Sequence, residues 1–162
     1  MNALNEKTAR LEEIIPLIEE QLGKGLNVRF APYGVSMRPL LREGKDSVVL
    51  APVTEKLKKY DIALYRRDNG QYILHRVVKV GETYTCIGDN QFTFENGVRH
   101  NQAIAVVSGF YRGERYCDIN NIGYKLYCRI WYLAFPMRRF LRRCINWLRY
   151  HLRCEYEIYR KN

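Results

Sequence analysis

No Cys-x-x-Cys pair occurs among the five cysteines of this 162-residue sequence, and its three histidines stand apart at positions 75, 100 and 151. Metal sites need clustered ligands, so neither a metal nor another cofactor is expected. The cysteine count is odd (Cys86, Cys117, Cys128, Cys144 and Cys154), which fits reduced thiols better than a disulfide framework. The opening stretch, MNALNEKTARLEEII, is charged and amphipathic, unlike a secretory signal peptide. The longest apolar run of the tail, IWYLAFPM, is eight residues, whereas a bilayer-spanning helix needs about 20. A cytoplasmic protein is expected, peripheral at most to the inner membrane surface. Internal repeats and low-complexity segments are also missing. Acidic residues become scarce at one end. Residues 122–162 carry ten Lys and Arg against Glu155 and Glu157, which is +8 of the net +10. Any argument about polyanions or membranes therefore concerns that tail alone.

What is present reads as a small β-rich domain with helical ends. Hydrophobic residues make up 47% of the chain and there are 13 tyrosines, enough for one core with strand-forming character. Residues 4–23 are predicted helical, with Leu11, Ile14, Ile15 and Ile18 at helical spacing and Gly23 and Gly25 as the stop. Strands are predicted over 27–33, 46–53, 61–67, 71–80, 82–87 and 102–112. Asp68-Asn69-Gly70 predicts a tight hairpin turn, with positive φ supplied by Asn-Gly. The expected division is an N-terminal helix over 1–25, a compact antiparallel β domain over 26–120 and a basic helical extension over 121–162. Pro136 is expected to kink or divide that extension.

One stretch, APYGVSMRPLL at 31–41, sets Ser36 beside Met37 on a segment broken by Pro32, Gly34 and Pro39. A serine hydroxyl is a weak nucleophile and needs a base within hydrogen-bond reach. His75, in the apolar strand YILHRVV, is one candidate base; Lys56, Lys58, Lys59 and Lys79 are the others. A histidine base needs a carboxylate to hold its tautomer, and Asp89 and Glu95 both follow in the next segment. A neighbouring carboxylate raises a histidine pKa and burial lowers it. From the reference value, the acid limb of a pH–rate profile is expected at roughly pH 6 to 7.5.

Taken in order, GVSMRPLL, DIALYRRDNGQYILHRVV and YTCIGDNQ resemble the S24/S26 serine peptidases, the group of signal peptidase I and the LexA-type self-cleaving repressors. The resemblance covers residues 30–111 and implies a compact LexA-like antiparallel β fold. It also implies Ser36 as nucleophile and, because His75 stands where many members have lysine, the Ser-His branch of endoplasmic-reticulum and archaeal-type signal peptidases. Asp89 matches the family's Gly-Asp-Asn box. Glu95 occupies the region where that branch carries its triad carboxylate, usually an aspartate. Either can orient His75, and a plain dyad is the third option. Gly34 stands where many signal peptidases place a hydroxyl residue, so the oxyanion would rely on backbone N–H groups, with Gly34 and Met37 beside the substrate. The stretch ahead of the first strand is too short for the DNA-binding unit of LexA. Ala-Gly or Cys-Gly, the usual self-cleavage sites, are also missing ahead of Ser36. A peptidase acting on another chain, a precursor or leader peptide, is therefore the expectation.

The tail interleaves apolar positions (Leu126, Ile130, Trp131, Ala134, Leu141, Ile145, Leu148 and Leu152) with Arg138, Arg139, Arg142, Arg143, Arg149 and Arg153. Three roles are open to it: a packed helix with a solvated arginine face, an arm on an anionic membrane or membrane partner, or a nucleic-acid contact. The last lacks any recognition motif. The rival to the enzyme reading is a non-catalytic module binding peptide or membrane, or a LexA-like regulatory peptidase.

Overall fold

Ile15, Ile18 and Leu22 fall on one stripe of α1 (Ala3–Gly23) and are all buried, each stabilising the fold by about 1.5–3 kcal/mol. Their partners are the first strands, β1 (Val28–Phe30) and β2 (Asp46–Pro52). The computed structural model describes residues 3–160, with side chains from 13 to 151. Leu11, Leu152, Arg153, Cys154, Glu155 and Glu157 therefore lie outside the described side chains. The chain divides into two compact units, residues 1–124 and 125–162.

The first unit is mainly antiparallel β-sheet, as expected. After β2 come β3 (Ile62–Arg66), β4 (Tyr72–Val80), β5 (Tyr84–Ile87), β6 (Glu95–Val98), β7 (Ala103–Arg112) and β8 (Arg115–Asp118). The sheet order is β1-β2-β7-β3-β4-β5-β6, with β8 paired to β7. Every pairing is antiparallel, which suits strands joined by short turns. β6 and β8 were not predicted. They are short, mostly exposed strands without apolar alternation.

The β3–β4 hairpin differs in detail from expectation. Only Gly70 of the Asp68-Asn69-Gly70 turn has positive φ, at 86°, and Asn69 does not. Gly70 N–H donates to the Arg67 carbonyl and Arg67 N–H to the Gln71 carbonyl. The Asn69 side chain accepts from Gln71 N–H. This is a three-residue loop ending in a left-handed glycine, the next commonest hairpin solution.

Antiparallel register places the chemistry. Ala63 faces His75 and Tyr65 faces Ile73 across β3 and β4. Tyr65 and His75 are thus diagonal neighbours on one face, a spacing that an aromatic side chain spans. The core beneath that face is built from Leu57, Ala63, Tyr65, Val77, Tyr84, Cys86 and Val98. Arg76, one residue on, points to the opposite face.

The second unit begins within α2 (Ile122–Leu133) and includes α3 (Phe135–Arg160). Pro136 lies in the first turn of α3, where a missing N–H costs nothing, so the helix is divided rather than kinked. Across the break, the Arg138 guanidinium lies 3.5 Å above the Trp131 ring. At about 100° per residue, Met137, Phe140, Leu141, Ile145, Trp147 and Leu148 occupy one arc of roughly 160°. Arg138, Arg139, Arg142, Arg143 and Arg149 occupy the opposite arc of about 140°. The apolar arc is exposed, Phe140 at 65% and Trp147 at 62%. Among the described residues, no helix is long and apolar enough to cross a membrane.

Candidate active site

Ser36 sits half-exposed on the loop between β1 and β2. Met37, Leu40 and Leu41 behind it are buried and anchor the loop to the core. Gly34 has φ of 107°, a backbone state closed to most side chains. Its N–H donates to Glu43 Oε1 at 3.2 Å. The Gly34 amide is therefore turned toward Glu43.

The Gly88-Asp89-Asn90 turn grips this loop from the other side, and each of its residues acts differently. Asn90 N–H donates to the Ser36 carbonyl at 2.7 Å and the Asn90 side chain to the Val35 carbonyl at 3.2 Å. Gly88 is pressed between the two candidate reactive groups. A Cβ there would lie 3.1 Å from Ser36 Cβ, 3.1 Å from His75 Nε2 and 2.7 Å from the Ser36 carbonyl oxygen. Only glycine lets both groups come this close to the turn. Ser36 and His75 line one cleft of about 110 Å³ with Tyr33, Gly34, Met37, Leu41, Glu43 and Leu74.

Asp89 and Glu95, open alternatives in the sequence, are separated by the structure. Asp89 forms a two-pronged pair with Arg76, both bonds at 2.8 Å, and each side chain is only 1% exposed. Arg76 also donates to the Tyr60 carbonyl and the Tyr124 hydroxyl. Tyr60 holds positive φ, at 81°, to present that carbonyl. Glu95, from β6, stands on the Nδ1 side of His75, 3.9 Å away, too far for a direct hydrogen bond. Arg67 holds Glu95 through both of its oxygens, and the Tyr65 hydroxyl donates to Glu95 Oε2 at 2.7 Å. The same hydroxyl lies 3.3 Å from His75 Nδ1.

Burial decides the charge states. His75 is 4% exposed, and its pKa is lowered to about 4 by burial, with Arg67 adding to the fall and Glu95 and Asp89 opposing it. The sequence expectation of roughly 6 to 7.5 left these opposing effects unweighed; in the structure burial outweighs the two carboxylates. Hydrogen bonding from Arg67 holds Glu95 below its usual range, against the effect of its own burial. Burial and the bond to Glu95 push the Tyr65 hydroxyl up. At neutral pH the set is thus neutral imidazole, intact phenol and carboxylate anion.

The lysines considered as alternative bases lie elsewhere. Lys56, Lys58, Lys59 and Lys79 open onto a separate groove with Leu57, Val78 and Val80, and Lys56 is bonded to the Gly81 carbonyl. Among the described residues, no group of His, Cys, Asp and Glu is arranged to hold a metal ion. Sequence reasoning missed Tyr65, Arg67, Gly88 and Asn90. The last two belong to the Gly-Asp-Asn box, of which the resemblance singles out only Asp89.

No family model, curated protein or solved structure matches the chain. A functional reading therefore rests on the geometry and on the motifs themselves.

Proposed function

We propose that the chain is a serine endopeptidase of signal-peptidase type that removes a leader or signal-like segment from another polypeptide. The observation that carries this reading is that Ser36 Cβ and His75 Nε2 both lie against Gly88 and that Ser36 and His75 line one cleft. A buried neutral imidazole beside a half-exposed serine is the pairing that acyl transfer needs. In this reading Ser36 Oγ attacks the scissile carbonyl while His75 Nε2 takes its proton. The tetrahedral intermediate collapses as His75 returns the proton to the leaving amine. Water, deprotonated by the same nitrogen, then releases the acyl group from Ser36. Glu95 is the carboxylate on the far side of the ring, and Asp89 is committed to holding Arg76.

The second unit supports a place at a membrane surface. Its apolar arc is uncovered and its opposite arc is arginine-rich, the two demands of a helix lying in an anionic interface. The substrate is then a precursor polypeptide met at that surface.

A fluorophosphonate probe on the purified full chain tests the enzyme reading. Ser36 should be labelled, and both Ser36→Ala and His75→Ala should abolish labelling and peptide cleavage while keeping the fold, because residues acting as one unit lose nearly everything together. Folded wild-type protein that takes no label at Ser36 refutes it and favours a peptide-binding module.

A further inference from the structure

We infer that Tyr65 is a positioning residue that couples Glu95 to His75 and fixes the imidazole tautomer with its bare nitrogen toward Ser36. The kinetic part of this inference rests on the peptidase reading; the tautomer part does not.

Hydrogen counting leads to it. Glu95 is a carboxylate and can only accept. Two oxygens 2.7 Å apart, one of them a carboxylate oxygen, need a proton between them, so the Tyr65 O–H is directed at Glu95 Oε2. A phenol has one proton. What Tyr65 presents to His75 Nδ1, 3.3 Å away, is therefore a lone pair. That contact is attractive only if Nδ1 carries hydrogen. A neutral imidazole with hydrogen on Nδ1 has its free electron pair on Nε2, the atom that lies against Gly88 as Ser36 Cβ does. The phenol thus passes the orienting effect of a carboxylate across a 3.9 Å gap that it cannot bridge itself.

The elements fit this role. Tyr65 and His75 are diagonal partners on β3 and β4, and Glu95 pairs with Cys86 on the neighbouring strands β5 and β6. Arg67, two residues after Tyr65 in the chain, grips the same carboxylate. Both ends of the relay are thus set by one short stretch at the end of β3. Tyr65 itself is fully buried, which holds its ring in one place and keeps its hydroxyl protonated.

The relay makes an asymmetric prediction. Tyr65→Phe removes the acceptor, so His75 should populate both tautomers. Glu95→Ala frees the Tyr65 proton to donate to Nδ1, so the imidazole proton should move to Nε2 and the base should be silenced. Nitrogen-15 NMR of the histidine rings in the full-length protein at pH 7, with His75 assigned by its loss in His75→Gln, reads this directly. Wild type should show hydrogen on Nδ1, Glu95→Ala hydrogen on Nε2, and Tyr65→Phe a mixture. Glu95→Ala should lower kcat by about 10²-fold, the scale of a lost general base, and Tyr65→Phe by less, because part of its population keeps Nε2 bare, both with KM within about twofold. Tyr65→Phe with Glu95→Ala should be no slower than the slower single variant, because the two act in series. A wild-type proton on Nε2 overturns the relay even if no variant folds. So does a Tyr65→Phe protein with wild-type kcat and an unchanged tautomer. Absence of Ser36 labelling in wild type is a separate result: it removes the peptidase reading while the tautomer series still decides the relay.

Discussion

Gly88→Ala is the substitution that presses hardest on the arrangement, because it adds one methyl group at the point where serine, imidazole and backbone meet. The new Cβ would lie 2.7 Å from the Ser36 carbonyl oxygen and 3.1 Å from both Ser36 Cβ and His75 Nε2. The carbonyl cannot simply retreat, since Asn90 N–H, two residues along the same turn, holds it at 2.7 Å. Relief must come from widening the gap between loop and strand by several tenths of an ångström. Overpacking of this kind costs about 1–3 kcal/mol. A misplacement approaching 1 Å between reacting groups costs on the order of 10²-fold in rate, so a slowing of roughly 10- to 100-fold is expected. The assay is the rate of fluorophosphonate labelling at Ser36, set beside urea unfolding of the same preparation. Gly81→Ala is the control, because its Cβ would meet only the Thr83 carbonyl, at 3.7 Å. A Gly88→Ala protein that labels at the wild-type rate with an unchanged unfolding midpoint would refute the claim that this glycine sets the serine–histidine spacing.

Other outcomes are expected. Asp89→Asn should lower stability by about 3–5 kcal/mol in denaturant unfolding, since it strands the buried Arg76 charge, whereas Glu95→Gln should act chiefly on kcat; equal, mild effects from both would favour a plain Ser-His dyad. The kcat/KM profile should stay level through neutrality and fall only near pH 4, where His75 takes a proton; a single limb above about pH 8.5 would point to a lysine base. The same group bears on stability. Its pKa falls from 6.5 unfolded to about 4 folded, so stability is full above pH 6.5 and about 3 kcal/mol is lost as pH falls to 4; His75→Phe should remove that slope from unfolding midpoints. Changing Arg138, Arg139, Arg142 and Arg143 together to glutamine should weaken binding to anionic vesicles by roughly 10³-fold, at about 1 kcal/mol per basic residue; wild-type binding that ignores lipid charge and salt would argue against the surface reading.

The sheet was legible where apolar, aromatic and β-branched runs lie between turn signals, as in DIALYRR and YILHRVV. It was illegible at β6 and β8, where ENGV and RYCD carry no such run and only pairing with a neighbour makes them strands. Ser36 and His75 could be singled out by residue type and surroundings. The choice between Asp89 and Glu95 could not, because it depends on which face of β4 each carboxylate meets. Tyr65 looked like one more aromatic in a strand; its hydroxyl gains meaning only from its contacts with His75 and Glu95. The histidine pKa was beyond reach for a similar reason. Burial and carboxylates push it in opposite directions, and their balance is set by packing rather than by composition.

The adjacency of His75 and Arg76 on β4 also bears on how the chain finds its fold. A strand slipped by one residue against β3 would exchange their faces. The guanidinium would enter the side occupied by Tyr65 and Arg67, away from Asp89, and the imidazole would lie among the partners of Arg76. Against a well-packed apolar substitute, the Arg76–Asp89 pair contributes little net stability. Against the slipped strand it is decisive, since that alignment leaves two buried charges apart. The pair acts as a checksum on strand alignment: only the register that assembles the cleft also neutralises the interior.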